Sequence, residues 1–120
     1  MSRQRRMALA AHEAVQAFKK STDQSKLRTL CMKTPSLIHQ SGLAQALVFL
    51  RSREGQIGRD FVNALAKVHE ANGFNGNGQA LVNDALAEND LQKYMVLTSA
   101  IADVAAWMRR FAQIELKEED

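Results

Sequence analysis

The stretch TPSLIHQSGLAQALVFLRSR, Thr34 to Arg53, decides how this chain folds. A proline enters an apolar run, a Ser-Gly pair breaks it, and a second apolar run restarts at once. Pro35 has no amide hydrogen for the carbonyl of Cys31, so a helix through it must kink or end nearby. Gly42 tolerates the positive-φ backbone that closes a helix, and Ser41 is of a type that caps the next one. Beyond it Leu43, Ala46, Leu47 and Leu50 recur at three- and four-residue steps, the spacing of a helical core face. The stretch reads as a tight corner between two packed helices.

Working outward, the same periodicity continues and no convincing strand interrupts it. A first helix is expected over 1–20, with Met7, Ala11, Ala14, Val15 and Phe18 on one face. Polar Ser21–Ser25 reads as a linker. A kinked helix pair follows over 26–53, burying Leu27, Leu30, Cys31, Leu37 and Ile38 before the corner. Gly55 and Gly58 flank a short break, after which Phe61, Val62, Leu65 and Val68 mark a fourth helix. Residues 72–78, NGFNGNG, form a loop by composition. A short fifth helix carries Leu81, Val82, Ala85 and Leu86. Asp90 suits the cap of a long last helix over 91–117, on which Leu91, Tyr94, Met95, Thr98, Ile101, Ala105, Met108 and Phe111 are expected to face the core. The fold class is all-α: a single compact bundle of about six helices, residues 1–120 forming one domain.

Composition narrows the function classes. The chain has 120 residues, 46% hydrophobic and 24% charged, ordinary values for a globular domain able to bury a core. One cysteine excludes an internal disulfide and points to a reducing compartment, so a cytoplasmic location is expected. The basic N-terminus lacks the apolar core of a signal peptide, and no apolar run approaches membrane-spanning length; no membrane partner is expected. The net charge of +3 hides an asymmetry. Residues 1–59 hold eleven Lys/Arg against Glu13, Asp23 and Glu54, a surplus of +8, whereas 60–120 hold five against ten acids, a balance of −5. Two different neighbours are implied, one of them anionic.

No catalytic constellation accompanies this charge. His12, His39 and His69 stand far apart with no acid or cysteine at ligand spacing, so no metal is expected. Cys31 falls on an apolar helix face and reads as a buried structural thiol. The glycine loop has no preceding strand and is not a dinucleotide fingerprint, nor does it carry the acidic ligands of a calcium loop. Trp107 sits at helical spacing from Val104, Met108 and Phe111 and reads as core or half-core. The chain is expected to be no enzyme and to need no cofactor.

What remains is a basic surface. Arg5, Arg6, Lys19, Lys20, Lys26, Arg28 and Lys33 lie in the first two helices and their linker, and Arg51 and Arg53 close the third. Lys26 and Lys33 are two turns apart on one stripe. If the first two helices pack as an antiparallel pair, Arg5, Lys19 and Lys26 line a groove. Spaced flexible cations recognise a phosphate backbone without a base code. Aromatics are 6% of the chain and mostly at core spacing, so no base-stacking platform is visible.

The wording of the corner is more specific than its physics. Pro35-Ser36-Leu37-Ile38, Gln40-Ser41-Gly42-Leu43, Gln45 and Phe49-Leu50 resemble the signature of the small subunit of the type III-B CRISPR effector complex, the Cmr (RAMP module) ribonucleoprotein. Gln4-Arg5-Arg6 running into Ala8, Ala11 and Val15 looks like that family's first helix. Trp107, Arg109-Arg110 and Phe111-Ala112 look like its last, while 54–90 matches nothing in it. The resemblance implies an all-helical, non-enzymatic subunit present in several copies, stacked in a short filament beside the backbone subunits. Its expected partners are those other effector subunits, guide and target RNA through backbone contacts, and copies of itself. On charge, the acidic half of one copy complements the basic half of the next, a head-to-tail contact. Two rival readings are a helical protein–protein adaptor without RNA contact and a helix-turn-helix with 42–53 in duplex DNA. The third helix, with Leu43, Leu47, Val48, Phe49 and Leu50, is too apolar for the second of these.

Overall fold

A computed structural model describes residues 2–53, 55–70 and 77–118. Among them are six helices and no strand: α1 (Arg3–Lys19), α2 (Gln24–Ser41), α3 (Leu43–Ser52), α4 (Gln56–Glu70), α5 (Gly78–Ala87) and α6 (Leu91–Glu115). Residues 71–76, most of the expected glycine loop, lie outside the described residues. Its last two, Asn77 and Gly78, cap and begin α5, where the Asn77 side chain accepts from Ala80 N.

α2 starts two residues earlier than its apolar pattern indicated and continues past Pro35 without ending. Thr34, fully buried beside the proline, donates its hydroxyl to the Leu30 carbonyl at 2.6 Å and so satisfies itself within the helix. The chain therefore turns at Gly42, not at Pro35. Gly42 has φ 81° and ψ 160°, a conformation open essentially to glycine alone. Ser41 does not cap α3; it is the last residue of α2, and α3 receives no side-chain cap from its own N-cap position. The missing acceptor comes from across the bundle. The Tyr94 hydroxyl of α6 takes the Ala44 amide at 3.0 Å, tying the corner to the start of the last helix. A tertiary cap of this kind leaves no trace in local sequence.

α6 is the spine. At 1.5 Å per residue its 25 residues span about 38 Å, against a longest molecular dimension of 43 Å. Asp90 caps it, accepting from Gln92 N and Lys93 N. α1 and α2 each lie along α6 and touch one another only sparsely, while α4 is packed against every other helix. Met7, Val15, Leu43, Leu47, Leu50, Phe61, Leu65, Ile101, Val104 and Met108 fill one continuous core without exposure.

The core stripe of α6 is narrower than its sequence suggests. Leu91 and Met95, expected inside, are 73% and 60% exposed, and Leu86 of α5 is 61% exposed. Periodicity marks an apolar stripe but not how far along it a partner element reaches. Here cover begins with Tyr94, Leu97 and Ala100, and the outward side of the first two turns faces solvent.

Candidate nucleic-acid interface

The basic residues fall into three groups. Arg5 and Arg6 are exposed in the first turns of α1, next to Arg3. Three arginines at a helix N-terminus oppose its dipole, and the Ser2 hydroxyl, accepting from Arg5 N at 3.2 Å, offsets part of that by capping. A second group gathers where α1 ends and α2 begins. Lys19, Lys20 and Lys26 are exposed there, with Arg28 and Lys33 half-buried farther along α2. Lys26 and Lys33 are separated by about 10 Å of helix. A third group, Arg51 and Arg53, closes α3: Arg51 bonds Gln79 of α5, and the Arg53 guanidinium lies 5.2 Å over the Phe49 ring.

The fold does not bring these groups onto one groove between α1 and α2, because the C-terminal end of α6 and the residues after it contact both helices. Lys19 Nζ meets Glu115 Oε2 at 3.3 Å, and Arg28 Nη2 meets Glu118 Oε1 at 3.3 Å. Between them the Lys117 amide donates to Gln24 Oε1 at 3.1 Å, and Leu116 is buried. His12 Nε2 lies 3.9 Å from Glu115 Oε1. The Lys19 and Gln16 hydrogen bonds hold the Glu115 carboxyl below its ordinary range, so it is charged at neutral pH.

Sequence reasoning left several cations out of the site. Arg59 of α4 joins Arg51, Val48, Ser52 and Val82 around a surface depression of about 280 Å³. Arg110 lies 5.4 Å over the Trp107 ring, which stacks on Phe111 at 6.0 Å; His12 meets Phe111 edge-on at 5.0 Å. Trp107 is half-buried and its Nε1 donates to Gln4 Oε1 at 3.0 Å, so it bridges α6 to the arginine-bearing start of α1. The Arg109-Arg110 pair beside a tryptophan was the signal that could have added these residues.

No group of three or more His, Cys, Asp or Glu among the described residues is placed to hold a metal ion. Cys31 is fully buried, and desolvation pushes its thiol up to about 12, so it stays protonated and unreactive. His69 is buried on α4, and burial, with the charge of Arg3, lowers its pKa and keeps it neutral. No helix among the described residues is long and apolar enough to cross a membrane.

Comparison with known proteins places this architecture. Residues 3–115 match the family model described as CRISPR-associated protein (Cas_Cmr5). The chain belongs to the Cmr5 family. A relative from Thermus thermophilus, described as CRISPR system Cmr subunit Cmr5, is 32% identical over 111 residues, covering 92% of this chain and 93% of that one. The crystal structure of a CRISPR-associated Cmr5 family protein, also from Thermus thermophilus, superposes with a TM-score of 0.88 at 31% identity, over 98% of this chain and 99% of the other. This Cmr5 match spans all six helices, including the 54–90 region in which the sequence offered no recognisable pattern. The small Cmr subunit family suggested by the corner at Gly42 is thus the family found.

Proposed function

We propose that this Cmr5-family chain is a non-catalytic, cytoplasmic subunit of a type III-B CRISPR effector complex that helps hold target RNA against the guide through backbone contacts. The observation that carries the reading is the run of cations across the end of α1 and along α2, Lys19, Lys20, Lys26, Arg28 and Lys33, of which Lys19, Lys20 and Lys26 are exposed. Backbone-directed binding needs spaced cations and no base-reading geometry. Arg5 and Arg6 at the start of α1 and Arg51 and Arg53 at the end of α3 are further cations in this reading.

The apolar surface supports the protein contacts such a subunit needs. Leu86, Leu91, Met95 and Val96 lie exposed at the end of α5 and the start of α6, with Asp84, Glu88 and Asp90 among them. Large exposed apolar side chains rimmed by charge are the composition of a docking surface. In this reading that acidic-rimmed end seats a neighbouring subunit or the basic half of another copy, giving a short head-to-tail stack.

The test is Lys26→Glu with Lys33→Glu in the reconstituted effector complex. Both side chains lie outside the core, so the fold is expected to persist. Removing two phosphate contacts is expected to weaken target-RNA retention about tenfold or more and to make the salt dependence of log K shallower by about 1.4, roughly 0.7 per contact on a single strand. Unchanged retention with an unchanged salt slope contradicts this site and favours an adaptor that meets only protein.

A further inference from the structure

We propose that the C-terminal segment 115–118 is a displaceable anionic strap seated on a phosphate-binding strip made by Lys19 and Arg28, so that strap and RNA backbone compete for the same cations. The inference rests on the RNA-binding reading above and adds a regulator to it.

The strap is built from four consecutive residues with distinct jobs. Glu115 ends α6 and its carboxylate reaches Lys19 at 3.3 Å. Leu116 leaves the helix in an extended conformation and anchors the segment by burying its side chain. Lys117 turns its own side chain to solvent while its amide bonds Gln24. Glu118 then reaches Arg28 at 3.3 Å. Two carboxylates therefore sit on two cations that belong to different helices.

The pairs are unequal in a way that suits exchange. The Glu118 side chain is 76% exposed while its partner Arg28 is only 18% exposed. The guanidinium is thus largely enclosed by its surroundings while the carboxylate stands in solvent. The pair is open to water on the Glu118 side, which screens it, so neutralising Glu118 is expected to leave the fold intact. Arg28 then offers its planar donor fork to a phosphate.

The experiment is an NMR titration of the full-length chain with a single-stranded oligouridylate, read on backbone amides between 50 and 200 mM salt, a method that reports binding in the range of ~10⁻⁴–10⁻⁶ M expected for non-specific contacts. It compares the native chain, Glu115→Gln with Glu118→Gln, and Lys26→Glu with Lys33→Glu. Releasing two cations is expected to tighten binding about tenfold and to steepen the salt slope by about 1.4. In the native chain, amides of residues 115–118 shift on RNA addition. If the double Gln variant binds as the native chain does while the Lys26/Lys33 variant loses affinity, the strap is overturned and the RNA-binding surface stands. If the oligouridylate shifts no amide in any of the three, both fall.

Discussion

Phe61→Ala is expected to lower the melting temperature by about 10–20 °C, the largest effect of any single truncation considered. Phe61 is fully buried on α4, the helix packed against all five others, and its ring stacks on Phe18 of α1 with centroids 6.0 Å apart. Truncation removes the transfer energy of the ring and leaves a cavity between helices that cannot all close on it. Such changes destabilise by about 3–5 kcal/mol, with an aromatic pair contributing about 0.5–1.5 kcal/mol beyond area. Against a total stability of roughly 5–15 kcal/mol the variant loses a large share and comes close to unfolding only if the parent lies at the lower end of that range. For a domain of this size each kcal/mol moves the transition by about 3–5 °C. Phe61→Leu, which keeps most of the volume, is expected to lose less than half as much. Equal melting curves for native and Phe61→Ala chains would contradict the central position of α4.

The second large effect has the opposite sign from what helix propensity implies. Gly58 lies in the first turns of α4, and replacing a helical glycine with alanine ordinarily stabilises by about 1 kcal/mol. Here an added Cβ would sit 2.2 Å from both the Leu50 and the Arg53 carbonyl oxygens. Both obstacles are backbone at the end of α3, so no side chain can swing aside. Gly58→Ala must push α4 away from α3, and overpacking of this kind costs about 1–3 kcal/mol, occasionally more. We expect a net loss of about 2 kcal/mol in denaturant unfolding. Gly55→Ala separates crowding from conformation: Gly55 has φ 59° and open space around its Cβ position, so only backbone strain acts. A Gly58→Ala chain more stable than the native one would show that α3 and α4 do not approach so closely.

Gly42 and Gly58 also mark what a sequence can and cannot reveal. Six helices were readable because Leu43, Leu47 and Leu50, or Ile101, Ala105 and Met108, repeat at helical spacing. Gly42 was readable as a turn because few residues accept its backbone. The crowding at Gly58 was not, since it arises from carbonyls of another helix. Tyr94 looked like one more core residue, yet its hydroxyl caps α3 fifty residues upstream. Leu91 and Met95 looked equally buried and are exposed, because the stripe outruns the elements that cover it.

The candidate site was legible in composition but not in its pairing. Lys19, Arg28 and their neighbours stand out as a basic cluster in the sequence. That Glu115 lies against Lys19 across 96 residues and Glu118 against Arg28 follows only from α6 running the length of the molecule. Charge counted by halves separates the cations from the very acids that neutralise part of them in the fold.

The most direct test of the RNA-holding role is ultraviolet crosslinking of the effector complex assembled on guide and target RNA, with crosslinked peptides of this subunit identified by mass spectrometry. Crosslinks within residues 19–33, at the end of α1 and along α2, are the predicted result. A complex that assembles with both RNAs yet yields crosslinks only in its other subunits would contradict it.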